Sequence, residues 1–242
     1  MSLIKRIIDK TIIPVINYIY YNLPSTTKYS FSKPSVKQIL FRMAKEDSAE
    51  YVKSFIRDVM VFESKEQIWD YSIKELSDLK GGNCLEFGVH KGRSINYFSE
   101  RLNDFTFVGF DSFQGLAEEW KGHRQSAGHF NLHGELPKVN SNVELVKGFF
   151  DENISKKVND ITKKDRVIFV HIDCDTYPSS VIVLNEIKEI LKPGILILFD
   201  DYFGYPAWRF GEFLALQEFI KENGLTYKYR AFSEGQALIE IV

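Results

Sequence analysis

The sequence predicts an α/β fold, in which a doubly wound, mostly parallel sheet of seven strands follows a helical extension and ends in a β-hairpin. From Gly81 onward, short runs rich in Val, Ile, Leu and Phe alternate with segments of helical spacing. This alternation is typical of parallel strands joined by crossover helices. Before Gly81 the apolar spacing is helical, so we expect an N-terminal helical extension over residues 1–80 and an α/β domain over residues 81–242.

Composition places the chain among soluble globular proteins. Its 242 residues are 44% hydrophobic and 26% charged, and the net charge is −2, which argues against a dedicated nucleic-acid-binding protein. Cys84 and Cys174 lie inside apolar runs, which indicates buried thiols in a reducing compartment rather than a disulfide framework. We therefore expect a cytoplasmic protein.

The N-terminal segment over residues 3–21 is apolar, but charged residues and a proline interrupt it: Lys5, Arg6, Asp9, Lys10 and Pro14. These interruptions argue against a membrane span and against a signal peptide. Two interpretations remain. One is a helix docked on the body or on a second subunit of a homodimer or larger oligomer; the other is an amphipathic segment in peripheral contact with a membrane. Residues 22–34, with two prolines and a Ser/Thr cluster, predict a linker.

Helical spacing follows over residues 35–60 and 64–80, and Ser64 and Gln67 have the spacing of a capping box. Five strands are then predicted at Asn83–Phe87, Phe105–Phe110, Val143–Lys147, Val167–Ile172 and Ile195–Phe199. Helices are predicted at Arg93–Leu102, Pro178–Leu191 and Arg209–Glu222. The last two strands, Thr226–Phe232 and Ala237–Val242, flank Ser-Glu-Gly and predict the closing hairpin.

The ends of the predicted parallel strands carry acidic residues and glycines. In such sheets, ligands bind beyond the carboxyl ends of the strands. The first strand leads into Glu86-Phe-Gly88-Val-His-Lys-Gly92-Arg-Ser94, a glycine turn at the start of a helix, where free backbone N–H groups approach a ligand closely. Asp111 ends the second strand, 23 residues after Gly88, at the position of a carboxylate that holds ribose hydroxyls. Together they predict a nucleoside-type cofactor, although a structural turn and a turn cap are the alternatives.

A second group of acidic residues follows the next strands. Asp173 and Asp175 are two apart on an extended segment and so point the same way, and Asp200 with Asp201 ends the following strand. One βαβ unit fits between them and brings both strand ends to the same edge. Four carboxylates there repel one another unless a cation or raised pKa values relieve them, so we predict a Mg²⁺ site; helix or loop capping by one or two of them is the alternative.

Five motifs occur in register over residues 82–242: LEFGVHKGRS, VGFDSFQGL, VELVKGFF, HIDCDTYPS and FDDYFGYPAW. In this order they resemble class I S-adenosylmethionine-dependent methyltransferases, and among these the macrocin O-methyltransferase-like family, which methylates sugar hydroxyls. The resemblance implies a Rossmann-like methyltransferase fold for residues 81–242. Residues 1–80 match no motif.

The resemblance also implies roles for individual residues. Glu86, Gly88, Gly92 and Ser94 would line the methionine and ribose part of the cofactor. Asp111 would bind its ribose, and Gly148 and Phe149 would lie near its adenine. Ser112 would be a further cofactor-binding residue. Asp173, Asp200 and Asp201 would hold the metal, and Asp175 would be the catalytic base. The chemistry itself accepts Asp173 and Asp175 in exchanged roles.

Several further residues are candidates for the acceptor side. The segment over residues 113–141 contains His123, His129 and His133, and its length predicts a lid, with a solvated loop as the alternative. The histidines are the other candidates for the base. His171, two before Asp173, is one of them, but a residue at this position more often packs beneath the site. Three aromatic residues predict either a wall for a sugar ring or core packing: Tyr202, Tyr205 and Trp208.

We therefore hypothesise a metal-dependent O-methyltransferase that moves a methyl group from S-adenosylmethionine to a hydroxyl of a small-molecule or saccharide acceptor. The D-x-D pattern of Asp173 and Asp175 also suits a metal-dependent phosphatase or a glycosyltransferase. Neither of these explains Glu86–Ser94 together with Asp111, and Tyr177 stands where the phosphatase motif has Thr or Val. A non-catalytic cofactor-binding protein is the third alternative.

Overall fold

The computed structural model describes residues 11–15, 18 and 34–242. The predicted linker and most of the apolar segment over residues 3–21 therefore lie outside the described residues. Residues Leu40–Val242 form one compact unit. Within the described residues, no helix is both long enough and apolar enough to cross a membrane.

Within residues 34–82, two helices precede the central strands. Helix α1 spans Val36–Lys53 and helix α2 spans Lys65–Ser77. The capping box is confirmed: the Ser64 side chain accepts from the Gln67 backbone N–H, and the Gln67 side chain accepts from the backbone N–H of Ser64. The first helix ends earlier than predicted, at Lys53, because turns over residues 54–58 lead into a two-residue strand, Met60–Val61.

One mixed sheet of eight strands forms the centre of the fold. Its strands are β1 Met60–Val61, β2 Asn83–Phe87, β3 Thr106–Asp111, β4 Val143–Lys147, β5 Val167–Ile172, β6 Leu196–Phe199, β7 Tyr227–Phe232 and β8 Ala237–Ile241. Their order across the sheet is β1-β7-β8-β6-β5-β2-β3-β4. All neighbours pair in parallel except β8, which is antiparallel to both β6 and β7. The doubly wound sheet and the closing hairpin are confirmed.

The predicted count of seven strands was wrong, because β1 is an additional strand. It pairs in parallel with the outer edge of β7 through Met60 and Val61. Two residues are too few to show the alternation that marks a strand. The free backbone groups along the edge of β7 decide that this segment pairs.

Four helices accompany the strands after β2. They are α3 Arg93–Arg101, α4 Phe150–Thr162, α5 Tyr177–Glu186 and α6 Glu212–Asn223, and short 3₁₀ turns lie at Lys188–Ile190 and Trp208–Phe210. The sequence prediction did not include α4, although its buried Ile154, Val158 and Ile161 have helical spacing. The 3₁₀ turns replace the last turn predicted for α5 and the first predicted for α6.

The register of the central strands determines where the site forms. Phe87 pairs with Ile172 and Ile172 with Phe199, so β2, β5 and β6 end level with one another. The strand order reverses between β2 and β5, the switch point at which ligands bind in doubly wound sheets. The carboxyl edge at this point is therefore the expected site.

Candidate active site

Hydrogen bonding between the central strands continues one residue beyond their ends. The Asp173 N–H donates to the Phe87 carbonyl at 2.8 Å, and the Asp200 N–H donates to the Ile172 carbonyl at 2.9 Å. Gly88, Asp173 and Asp200 therefore follow three adjacent strands at the same level. This arrangement brings the predicted cofactor residues and the predicted acidic residues to one edge.

A cleft over β2, β3 and β4 contains most of the predicted cofactor residues. It encloses about 730 Å³ of empty space, counted to its open mouth. Five predicted cofactor residues line it, together with two of the acidic residues: Gly88, Asp111, Ser112, Gly148, Phe149, Asp173 and Asp175. The sequence had assigned no binding role to the remaining lining residues, which are His90, Gly115, Leu116, Ala117, Phe130, Phe150, Cys174 and Ser179. We call this the cofactor cleft.

The other three predicted cofactor residues lie outside the lining of the cofactor cleft. Glu86 is buried, and its carboxylate accepts from the Ser94 hydroxyl at 2.9 Å and lies 3.0 Å from Nδ1 of His171. Gly92 has a φ of +75° at the N-terminus of α3. In this structure Glu86 and Ser94 tie β2, α3 and β5 together beneath the cleft.

Asp111 lines the cofactor cleft and also holds its loops. Its Oδ2 accepts from the backbone N–H groups of Val89 and His90 at 2.9 and 2.7 Å, and its Oδ1 accepts from that of Phe113 at 2.6 Å. One carboxylate thus connects the glycine turn after β2 with the start of the long segment after β3.

The acidic centre consists of Asp173, Asp175, Asp200 and Asp201. Carboxylate oxygens of Asp173, Asp175 and Asp201 lie within 4.8 Å of one another, and so do potential ligand atoms of His171, Asp173 and Asp200. Burial and the neighbouring carboxylates raise the pKa of Asp173 and Asp175 well above the usual range and raise the pKa of Asp201 to about 7. Asp175 also has a left-handed φ of +61°, a strained conformation for a residue other than glycine that is often found at functional sites.

Asp200 differs from the other three aspartates because a cation and an amide group both donate hydrogen bonds to its carboxylate. Lys65 of α2 forms a salt bridge with its Oδ2, and the Gln236 side chain donates to its Oδ1. Burial would raise the pKa of Asp200, but the His171 imidazole and the Lys65 ammonium outweigh it, so the pKa is lowered. Neither Lys65 nor Gln236 was expected at the site, because neither lies in one of the five motifs.

His171 packs beneath the acidic centre, as predicted. Its ring is buried, with Nδ1 at Glu86 and Nε2 3.8 Å from Asp200, too far for a hydrogen bond. Burial lowers the pKa of His171, but Asp200 and Glu86 outweigh it and raise the pKa to about 10. The imidazole is therefore cationic at neutral pH and offsets part of the negative charge.

Glu212, at the N-terminus of α6, is a fully buried carboxylate that the sequence analysis missed. Its two oxygens accept from the backbone N–H groups of Cys174 and Asp201 at 3.1 and 3.0 Å. Burial and the nearby aspartates raise its pKa well above the usual range. Glu212 thus positions both acidic segments, Asp173–Asp175 and Asp200–Asp201, by accepting hydrogen bonds from their backbone N–H groups.

We expect Glu212→Gln to lower the free energy of unfolding by about 1–3 kcal/mol, because one backbone N–H would then face an amide NH₂ instead of an acceptor. Chemical denaturation monitored by circular dichroism measures the change. Glu222→Gln, on the exposed face of the same helix, is the matched control and should change little. Equal stability of the two variants would contradict a positioning role for Glu212.

Comparison with known proteins identifies the domain that carries these sites. Residues 85–202 match a family described as "Methyltransferase domain". The chain contains a methyltransferase domain over these residues. The predicted S-adenosylmethionine-dependent methyltransferase is thereby confirmed. The match also favours methyl transfer over the phosphatase and glycosyltransferase alternatives. A search of curated protein sequences found no significant match.

Solved structures with a similar fold include methyltransferases. The calicheamicin methyltransferase CalS11 is 17% identical and has a TM-score of 0.58, with 87% of this chain and 95% of that chain aligned. The O-methyltransferase NovP is 16% identical, with a TM-score of 0.55 over 72% of this chain and 78% of that chain. At these identities, the likeness confirms the Rossmann-like fold of the methyltransferase.

A second and larger cleft meets the acidic centre of the methyltransferase at Asp201. It encloses about 1690 Å³ of empty space, counted to its open mouth, and its lining is mainly apolar. One face of α1, the β1 segment, the loop after β6 and the β7–β8 turn form its walls, with these residues among them: Phe41, Lys45, Ala49, Val52, Phe62, Phe203 and Gly235. We call this the α1 cleft.

The segment between β3 and β4 borders both clefts. Gly115 to Ala117 and Phe130 line the cofactor cleft, whereas His123 lines the α1 cleft. His123 stacks on Trp120 with ring centroids 3.8 Å apart and contacts Tyr205 edge-on at 4.6 Å. This arrangement is compatible with the predicted lid, although His129 and His133 are exposed and line neither cleft.

The predicted aromatic wall for a sugar ring is reduced to one residue. Tyr205 lines the α1 cleft. Tyr202 and Trp208 are fully buried in the core, where Tyr202 hydrogen-bonds to Tyr229 and Trp208 donates to Asp47. For these two residues, the core-packing alternative describes the structure.

Proposed function

We propose that this methyltransferase transfers a methyl group from S-adenosylmethionine to a hydroxyl of a saccharide-containing acceptor, and that a divalent cation assists the reaction. One observation carries the proposal: the acidic centre lies where the two clefts meet. Asp173 and Asp175 line the cofactor cleft, and Asp201 lines the α1 cleft. A methyl donor in the first cleft and a hydroxyl from the second would both reach these carboxylates.

The donor set fits a hard divalent cation such as Mg²⁺. The aspartates of the acidic centre offer carboxylate oxygens, the ligands that Mg²⁺ prefers. Oxygens of Asp173, Asp175 and Asp201 lie within 4.8 Å of one another, and Asp173 and Asp200 are within the same distance of each other. Burial, and then repulsion among the carboxylates, raises the pKa values of Asp173, Asp175 and Asp201, and a cation would relieve the repulsion. We assign Asp173, Asp200 and Asp201 as ligands; when bound, the metal would lower the pKa of the acceptor hydroxyl.

Asp175 is proposed as the base that accepts the hydroxyl proton. It lines the cofactor cleft, and its raised pKa makes it a better proton acceptor than an ordinary aspartate once its proton has been lost. The segment over residues 113–141 would exclude water from both clefts. We assign cofactor binding to the five predicted residues that line the cofactor cleft, Gly88, Asp111, Ser112, Gly148 and Phe149. Glu86, Gly92 and Ser94 would support the glycine turn after β2.

The acceptor class rests on the α1 cleft and on the similar structures. CalS11 is described as a TDP-rhamnose 3′-O-methyltransferase; its apo structure is 17% identical, with a TM-score of 0.52 over 87% of this chain and 97% of that chain. The α1 cleft is larger than a single sugar ring requires. We therefore propose a saccharide joined to a further group, with the sugar at Asp201 and the rest along α1.

The test combines calorimetry with a transfer assay on the full-length protein. S-adenosylhomocysteine should bind, and transfer from labelled S-adenosylmethionine to TDP-sugars and apolar glycosides should need Mg²⁺ and stop with EDTA. Asp175→Asn should lower kcat by about a hundredfold or more while S-adenosylhomocysteine still binds. The exposed Asp104→Asn is the control. Transfer that persists in EDTA would contradict the metal role, and an unchanged kcat for Asp175→Asn would contradict its role as base.

Four further predictions concern the whole chain. We propose that residues 1–80 are an extension of the methyltransferase domain over residues 81–242, that the protein forms a homodimer or larger oligomer, that residues 3–21 contact a second subunit or a membrane, and that the protein is cytoplasmic. Light scattering after size-exclusion chromatography tests the oligomer, and flotation with anionic vesicles tests the membrane contact.

A further inference from the structure

Lys65 places a positive charge inside the acidic centre from outside the segment that matches the methyltransferase family. It is the first residue of α2, whereas the family match begins at residue 85. Its side chain is 32% exposed, and its ammonium donates to Oδ2 of Asp200. It is also close enough to Asp201 and Asp173 to interact with both electrostatically. A residue without a motif thus contacts the centre of the proposed site.

The position of Lys65 follows from the way α2 begins. The capping box of Ser64 and Gln67 defines the first turn of the helix. The next residue, Glu66, forms a salt bridge with Arg93 of α3, which joins the start of α2 to the helix that follows the glycine turn. Lys65 is therefore held at the acidic centre by local structure on both sides.

Both oxygens of the Asp200 carboxylate already have donors. The Gln236 amide, which is fully buried, donates to Oδ1, and the Lys65 ammonium donates to Oδ2. A divalent cation that uses Asp200 as a ligand must displace Lys65 or share the carboxylate with it. Two cations beside the same carboxylates also repel each other.

We propose that Lys65 is a resident counter-ion of the acidic centre and that a divalent cation binds in competition with it. Without a metal, the ammonium compensates Asp200 and keeps the centre assembled. When a cation binds, it does so against the charge of Lys65, so this residue lowers the affinity for metal. The competition with a cation rests on the metal site proposed above, whereas the counter-ion role of Lys65 does not.

The experiment compares the full-length protein with Lys65→Met, Lys65→Arg and Lys74→Met. Lys74 is on the same helix, is exposed and forms no salt bridge with any residue that the structure describes, so its removal controls for the loss of one charge from α2. Thermal unfolding is followed without metal and with MgCl₂, and Mg²⁺ binding is measured by calorimetry. Neither measurement depends on catalytic activity.

Without metal, Lys65→Met should unfold at a temperature several degrees below that of Lys74→Met, and Lys65→Arg should retain most of the stability. In the presence of Mg²⁺, Lys65→Met should show the larger stabilisation, with a Kd for Mg²⁺ lower than that of the unmodified protein by about tenfold. A metal-free stability of Lys65→Met equal to that of Lys74→Met would overturn the counter-ion role. Equal or weaker Mg²⁺ binding by Lys65→Met would overturn the competition.

The outcome also separates this proposal from the proposed function. If no variant binds Mg²⁺, including the unmodified protein, the metal site itself is contradicted and the competition is overturned with it. The metal-free comparison of Lys65→Met with Lys74→Met then decides the counter-ion role on its own.

Discussion

Replacing Gly88 with alanine should abolish binding of S-adenosylhomocysteine and lower the free energy of unfolding by about 3 kcal/mol or more. Gly88 has a φ of +94°, which an L side chain rarely adopts. A Cβ atom there would lie 1.8 Å from the carbonyl oxygen of Asp173. This neighbour is backbone of the adjacent strand end, so the two chains would have to separate at the point where the cofactor cleft and the acidic centre meet.

Gly194→Ala is the matched control for this substitution. Gly194 has nearly the same φ, +95°, but a Cβ atom there would have no neighbour within 4 Å. The control therefore includes the strain of a positive φ without the collision. Urea denaturation and calorimetry with S-adenosylhomocysteine measure both variants. If Gly88→Ala lost no more stability than Gly194→Ala and still bound S-adenosylhomocysteine, the close approach of β2 and β5 would be required neither for stability nor for cofactor binding.

Asp173→Asn should lower Mg²⁺ affinity and kcat/KM by more than about a hundredfold without lowering the stability of the metal-free protein. Asp173 belongs to both groups of potential metal ligands and lines the cofactor cleft. An uncharged amide is a poorer ligand for Mg²⁺ than a carboxylate. The same amide removes a group that burial and Asp200 destabilise in its charged form, which is why its pKa is raised.

Two measurements distinguish this prediction from simple misfolding. The unfolding temperature of Asp173→Asn without metal should equal or exceed that of the unmodified protein, and its Mg²⁺-dependent stabilisation should disappear. The exposed Asp104→Asn should match the unmodified protein in both respects. A loss of stability without metal, or full Mg²⁺ binding by Asp173→Asn, would show that Asp173 is a structural residue and not a ligand.

Most of the parallel sheet could be predicted from the sequence because its strands are buried on both faces. Continuous apolar runs such as Val167–Ile172 and Leu196–Phe199 have few alternatives to an inner strand, and the structure shows them fully buried. Helix α4 was missed because the chain between β4 and β5 is rich in charged residues, which dilute its three buried apolar positions. The two-residue strand β1 was missed because so short a strand depends on the edge that it joins.

The site residues also fall into those that local sequence patterns predicted and those that they did not. The four aspartates of the acidic centre were expected together because parallel strands end at one edge, and their carboxylates do meet there. Lys65 and Glu212 were not expected, because they reach the centre from helices whose docking no local pattern specifies. The α1 cleft was likewise unexpected, since it needs α1, the loop after β6 and the β7–β8 turn in one place.

The sequence by itself determined which strands form the parallel core, where they end, and which acidic residues and glycines stand at those ends. Apolar runs and the spacing of residues within them are local properties of the sequence, so they can be recognised without the rest of the molecule. Only the tertiary structure decided that Glu86 and Ser94 lie beneath the cofactor cleft, that Tyr202 and Trp208 belong to the core, and that an ammonium compensates Asp200. These outcomes depend on contacts between residues far apart in the chain, such as Lys65 and Asp200, whose free energy no local pattern records.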